Sequence, residues 1–245
     1  MRALFEPVGD YLLVEDCIRA MAGEARAAGA ELVSDAVVEG WSVEGDRLVV
    51  RSSRSTWRAS SVILAQGAWS AAAVRELGLE LEVVRKSQLW YRTRDDRCSL
   101  ARGFVPFAMQ TATGQVFYGF PELDERGLKV AEHSGGTALR EPLELDRSLW
   151  PEDRAPVEAF CATHLPAVTA ECLAHAVCMY TRSPDEHFVV DRHPAHPRVV
   201  FAAGLSGHGF KFAPVLGEAL ADLALDGGTR LPIEFLSRRR FEGRR

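Results

Sequence analysis

Lysine is scarce in this chain. Of 29 basic residues only Lys86, Lys129 and Lys211 are lysine, and the rest are arginine. Where arginine serves wherever charge alone is wanted, a retained lysine marks a position that needs a compact, titratable amine, unless it stands there by chance. Long apolar runs are missing as well. No stretch of about 18 apolar residues suggests a membrane span, and the first residues lack the basic, apolar and small succession of a signal peptide. The net charge is −5, which argues against the basic face that nucleic-acid binding requires. The one basic cluster, Arg238–Arg239–Arg240 with Arg244–Arg245, reads as a solvated end in preference to a binding patch. The five cysteines, Cys17, Cys98, Cys161, Cys172 and Cys178, are odd in number, irregularly spaced and without a Cys-x-x-Cys, so neither a zinc ribbon nor a dithiol motif is signalled. A reducing cytoplasm is the expectation, with no membrane and no nucleic acid as partner.

What is present is a globular composition, 47% hydrophobic and 26% charged over 245 residues, enough for one large domain or two small ones. Residues 15–28 read as a helix, with Glu15 and Asp16 in its first turn and Gly29 at its stop. ELVSDAVV, 31–38, reads as a strand, and WSVEGDRLVV as a hairpin turning at Glu44-Gly45-Asp46. SVILA, 61–65, is wholly apolar and suits a strand buried on both faces. A helix follows Gly67. The middle is β-rich: VVRKSQLWYRT, GFVPFAM, GQVFYGF and GLKVAEH each read as a strand. Residues 151–163 read as a helix opening on Pro151. Three strands, HAVCMYT, HFVVD and RVVFAAG, precede a last helix at 213–225, with Val215, Leu216, Ala219, Leu220, Leu223 and Ala224 along one side. The expected fold is α/β (α+β). Residues 1–80 and 171–245 form one domain around a β-rich insertion at 81–170.

Three segments carry possible chemistry. In VVFAAGLSGHGFKFAPVLGEALADLALDG a strand runs into Gly204, Gly207 and Gly209 and then a helix. Glycines permit positive φ and close approach of a ligand. The helix N-terminus offers free N–H groups, and Lys211 adds a full charge. An anionic ligand suits this turn, but so does a plain tight turn. In HAVCMYTRSPDEHFVVD, Cys178 and Tyr180 share a strand face, yet a lone strand cysteine is commonly a small buried hydrophobe. In FYGFPELDERGLKVAEH the polar candidates are Tyr118, Lys129 and His133, and the bland alternative is a hairpin with exposed polar residues. His187, Asp191, His193 and His196 are plausible metal ligands by type. Pro194 and Pro197 place them on a loop with no helix to set ligand spacing, and no metal is expected.

CMYTRSPDEHFVVD followed by GLSGHGFKFAPVLGEALADLAL closely resembles the monomeric sarcosine oxidase and N-methyltryptophan oxidase family, flavin amine oxidases of the D-amino-acid oxidase superfamily. FEPVGDYLLVEDCIRA, VILAQGAWS and YGFPELDERGLKVAEH resemble the family's middle region. The resemblance implies FAD bound covalently through Cys178, with Gly67, Gly204, Gly207, His208, Gly209, Phe210 and Lys211 at the cofactor. It implies Lys129 in oxygen activation, Lys211 also at the substrate carboxylate, and His133, Tyr118 and Tyr180 lining the substrate pocket. The implied reaction oxidises the C–N bond of an N-methyl amino acid with oxygen, releasing hydrogen peroxide. The alternatives are a flavin dehydrogenase using another acceptor and an inactive or partner-dependent fragment.

The family opens on a strand, a GxGxxG turn and a helix that hold the FAD pyrophosphate. No GxGxxG occurs in these residues. The resemblance therefore implies a glutathione-reductase-like FAD-binding domain incomplete at its N-terminus, weak binding of FAD by residues 1–245 alone, and a possible partner chain supplying the rest. SVILA would then lose a sheet neighbour and expose an apolar edge.

Overall fold

A computed structural model describes residues 3–243. In chain order, α1 (Val14–Ala27) precedes β1 (Val38–Glu44), β2 (Arg47–Ser52), β3 (Thr56–Ala59) and β4 (Val62–Leu64). Then come α2 (Ser70–Arg75), β5 (Glu82–Thr93), β6 (Phe107–Gln110), β7 (Val116–Phe120), β8 (Leu128–Glu132) and β9 (Thr137–Leu139). The last part holds α3 (Pro151–His164), β10 (Val168–Arg182), β11 (Val189–Arg192), β12 (Val199–Ala203) and α4 (Ala213–Leu225). The described residues divide into two compact units, one made of residues 3–11 with Val83–Tyr180, the other of Leu12–Glu82 with residues 181–243. The sequence reading set the boundaries at 80/81 and 170/171. The second crossing falls later because β10 is one continuous strand of 15 residues.

The first unit is built on a sheet ordered β10-β5-β8-β7-β6, with β9 also on β5. Its β5–β8, β8–β7, β7–β6 and β5–β9 pairs are antiparallel. Side chains alternate between faces along each strand. One face carries Leu89, Tyr91, Phe117, Leu128 and Val130, which form one buried cluster with Val157, Phe160 and Cys161 of α3. The Phe117 and Phe160 rings stack at 4.3 Å. Arg85, also on β5, has a side chain 1% exposed. It donates to Asp153 Oδ1 at 2.6 Å and to the carbonyls of Asp146 and Ser148, beneath a Trp150 ring 3.7 Å away. Burial of that guanidinium is tolerated because its donors are met.

The second unit contains two three-stranded sheets, β1-β2-β3 and β11-β12-β4. β12 pairs antiparallel with β11 and parallel with β4. Its side chains serve both faces. Val200 joins Leu216 and Leu220 of α4 in one cluster, and Phe201 and Ala203 join Val74 of α2 in another. Strand β12, not SVILA, is thus the strand buried on both faces. β4 has no second neighbour among the described residues, and its Ile63 is 45% exposed.

Other sequence expectations need correction. Residues 31–37 are not in a strand, because Asp35 adopts φ +53°, which breaks extended backbone. GFVPFAM enters the sheet only at Phe107, after Pro106, which has no N–H to pair. Val215 is 39% exposed rather than on the buried side of α4. β3 and β9, of four and three residues, are too short to show a period.

Candidate active site

The face of the first sheet turned away from α3 has a different composition. Trp90 lies opposite Lys129, and Lys129 opposite Phe120, while Tyr118 lies opposite Ala131. Alternation puts Lys86 and Gln88 on the side of Trp90, and Tyr118 on the side of Phe120. His133 follows β8 on the same side, with its N–H bonded to the Val116 carbonyl at 2.7 Å. β10 contributes Cys178 and Tyr180. The sequence candidates Tyr118, Lys129, His133, Cys178 and Tyr180 are therefore brought to one sheet face, from three strands.

Contacts tie these groups together. The His133 ring lies 5.5 Å from Tyr180 and 6.4 Å from Tyr118. Tyr118 donates its hydroxyl hydrogen to Tyr180, and burial first, then the neighbouring Tyr180, pushes the Tyr118 phenol far above its ordinary range. Tyr180 is raised chiefly by burial too. Both hydroxyls are thus neutral donors at any ordinary pH. The Lys129 ammonium sits 5.0 Å from the Trp90 ring and 5.3 Å from Phe120. Two aromatic faces attract the cation through their ring quadrupoles.

Four residues of this face that contact the candidates were not singled out as site residues: Lys86, Gln88, Trp90 and Phe120. Lys86 is 5% exposed, bonds the Ser134 carbonyl at 2.5 Å and lies 5.7 Å from the Tyr180 ring. Its signal was the lysine scarcity. Gln88 Nε2 donates to Cys178 Sγ at 3.6 Å. Burial raises the Cys178 thiol, while the Gln88 hydrogen bond and the charges of Lys129, Lys86 and Arg147 oppose it. Arg147 is fixed beside β10 by its bond to the Val177 carbonyl at 2.8 Å.

The remaining candidates belong to the second unit. Gly67 (φ +55°) follows β4 and Gly204 (φ +63°) follows β12, so both parallel strands end in left-handed turns that other residues resist. The carboxyl ends of parallel strands are where α/β sheets take ligands. A Cβ on Gly204 would stand 3.2 Å from Leu81 and Ser183, and one on Gly209 would collide with Leu205 at 2.6 Å. Ser206 (φ +49°) and Gly207 (φ +82°) continue the left-handed path. His208 Nδ1 lies 3.1 Å from the Ser206 carbonyl, and Lys211, exposed, donates to the His208 carbonyl at 3.1 Å. Phe210 opens the short 3₁₀ turn that leads into α4. The α4 N-terminus receives no side-chain cap, but the 3₁₀ turn runs straight into it: the Ala213 N–H bonds the Phe210 carbonyl and Pro214 has no N–H. Beside Gly67, the buried Gln66 Oε1 meets no donor among the described residues.

Residues set aside as metal ligands have other partners. Trp41 packs edge-on against His193 and His196, and Asp191 accepts from Ser237 Oγ and Arg238 N. Among the described residues no cluster of three His, Cys, Asp or Glu could hold a metal, and no helix is long and apolar enough to cross a membrane. The basic tail is engaged: Arg240 pairs with Asp185 and Arg238 with Glu242. Arg244 and Arg245 lie outside the described residues.

The sheet face and the glycine-ended parallel strands define a mixed α/β scaffold of the kind used by flavin-dependent oxidoreductases. Comparison with known proteins agrees: the model of the DAO family, FAD-dependent oxidoreductases, matches residues 1–223, and the chain belongs to that family. It is 35% identical over 239 residues to monomeric sarcosine oxidase of Arthrobacter sp. (strain TE1826), covering 96% of this chain and 61% of that protein. It is also 35% identical to N-methyl-L-tryptophan oxidase of Citrobacter koseri, covering 90% of this chain and 58% of that protein. The chain thus spans less than two thirds of the length of these relatives. Among solved structures it is similar to NikD, an amino acid oxidase of nikkomycin biosynthesis (TM-score 0.73, 22% identity, 91% and 59% of the two chains). It is also similar to L-proline dehydrogenase from P. horikoshii (TM-score 0.74, 22% identity, 93% and 59% of the two chains). At those identities the likeness is one of fold.

Proposed function

We propose that this chain serves in an FAD-dependent oxidase of N-methyl amino acids, sarcosine-like in substrate, with the flavin attached to Cys178. The observation that carries the reading is the single sheet face on which Cys178, Tyr180, Tyr118, His133 and Lys129 meet. Its relatives' names supply the reaction class.

The residues present fit FAD. In the second unit Gly67, Gly204, Gly207, His208, Gly209 and Phe210 would line the cofactor, with Lys211 facing anionic atoms of the ring or of the substrate. The second unit is on this reading part of a glutathione-reductase-like FAD-binding domain, and the first unit the substrate domain. When bound, FAD accepts the two electrons of substrate oxidation and passes them to oxygen.

The chain's own groups then have defined tasks. Lys211 holds the substrate carboxylate by a charge-assisted hydrogen bond. The Tyr118–Tyr180 pair and His133 wall the pocket and exclude water. Both phenols stay protonated there, so they orient by donating. Lys129, clamped between Trp90 and Phe120, keeps a positive charge where negative charge develops on oxygen. Such preorganised charge is worth most in a water-poor site. The oxidised substrate, an imine, hydrolyses to aldehyde and amine.

The test is turnover by the protein purified at its native length from cells carrying the gene. Sarcosine under oxygen should yield hydrogen peroxide and formaldehyde in equal amounts. Oxidation that proceeds with an artificial electron acceptor but yields no peroxide would contradict the oxidase reading.

A further inference from the structure

Cys178 differs from the other cysteines of the first unit in what surrounds its sulfur. Cys98 and Cys161 are buried in the apolar cluster between the sheet and α3, where burial first, then the charge of Glu158, pushes the Cys161 thiol up to about 12. Cys172 turns its Sγ to the Ala174 carbonyl at 3.3 Å. Among the described residues Cys178 is the cysteine that receives a side-chain amide, from Gln88 Nε2. The donor and the sulfur lie on neighbouring strands, 90 residues apart in sequence, and the same two strands bring Lys86 to Tyr180. Gln88 is half-buried, so its amide hydrogen bond is partly shielded from water.

We propose that Gln88 is a positioning residue for Cys178. It holds the sulfur on the sheet face and stabilises the thiolate that bonds the flavin. The proposal rests on the reading of Cys178 as the attachment site. Thioether formation joins Sγ to the flavin 8α carbon. The thiol gives up one hydrogen and the 8α methyl another. These leave as two protons and two electrons, which reduce dioxygen to hydrogen peroxide. The sulfur must attack as thiolate, because the thiol is a poor nucleophile. A buried thiol resists ionisation, and the groups that face this one decide the balance: Gln88 and Lys86 from β5, Lys129 from β8, Tyr118 from β7, Tyr180 from β10, and Arg147 ahead of α3. The cations act at a distance. Gln88 is the group that touches the sulfur. A hydrogen bond to a charged atom is about twice as strong as a neutral one, so losing it should raise the thiol by about one unit and cut the thiolate about tenfold near neutral pH.

The experiment uses Gln88→Leu and Gln88→Glu in the full chain, produced flavin-free under riboflavin depletion. Iodoacetamide alkylation of Cys178 is followed by peptide mass spectrometry from pH 6 to 10 with Cys17 as internal control. Gln88→Leu should move the Cys178 midpoint up by about one unit and slow its alkylation about tenfold at pH 7.5, and Gln88→Glu by more, because its carboxylate also repels the thiolate, both leaving Cys17 unchanged. Gln88→Glu keeps the size and polarity of the side chain, so a fold lost in the leucine variant leaves the question answerable. In parallel, FAD is added and the rate of thioether formation measured. Gln88→Leu should attach flavin about tenfold more slowly than wild type at pH 7.5 and recover toward wild type at pH 9. Unchanged alkylation and attachment in both variants would overturn the role of Gln88 while wild type still carries the adduct. A wild-type protein with no adduct would overturn the reading of Cys178, and this proposal with it.

Discussion

Asp185 and Arg240 meet across 55 residues of chain, with Arg240 Nε 2.7 Å from Asp185 Oδ2 and Nη2 3.0 Å from Oδ1. The pair explains the SPDEHF motif in physical terms. Ser183 Oγ bonds the His187 carbonyl at 2.6 Å, the His187 N–H returns to Asp185, and Glu186 takes φ +59° to close the turn. The Arg240 hydrogen bond, chiefly, holds the Asp185 carboxyl down to about 2 from 3.8. Because the folded-state value lies below the ordinary one, folding favours the ionised form. The contribution is present above roughly pH 4 and is lost as pH falls toward 2. Asp185→Asn should cost at most about 2 kcal/mol at pH 7 and flatten the stability profile between those limits. Urea titrations of both proteins from pH 2 to 7 check this, and parallel profiles would contradict it. The motif was readable as a family signature, but its partner Arg240 was not, since sequence carries no mark of a contact so distant. Gln88 was hidden for the same reason, and Lys86 was marked only by the scarcity of lysine. Their faces could be counted along β5, but the strand beside them could not be named.

Among elements, α3 and α1 make a useful contrast. Both were readable as helices from their first turns, yet they differ in what they do. Phe160 of α3 is 4% exposed and stacks on Phe117, so α3 backs the sheet whose other face carries the candidate residues. α1 buries no residue, and Ile18 on its apolar side is 51% exposed. Periodicity shows that a helix has an apolar side but not whether anything covers it. Phe160→Ala should destabilise the first unit by roughly 3–5 kcal/mol through lost burial and a cavity. Ile18→Ser should change stability by no more than about 0.5 kcal/mol. Denaturant unfolding followed by tryptophan fluorescence checks both, and equal effects would contradict the packing described. β4 repeats the lesson. SVILA was readable as a strand because it is short and apolar, but its place at the end of the sheet depends on which neighbours it finds.

At the scale of the molecule, each of the two units carries its own group of candidate residues. The first gathers the thiol, the phenols, His133 and Lys129 on one sheet face. The second offers glycine-ended parallel strands and Lys211. The α/β class was legible from the alternation of helical and strand-like segments. The units' boundaries are set by β5 and β10, long strands whose full extent depends on partners remote in sequence. The account turns on Cys178. Flavin stays on the protein after denaturation only if a covalent bond holds it, so the direct measurement is peptide mass spectrometry of the native-length protein, unfolded and digested. The account predicts a peptide containing Cys178 that carries the flavin mass and fluoresces. A Cys178 peptide recovered as free thiol, with all flavin released on unfolding, would contradict it.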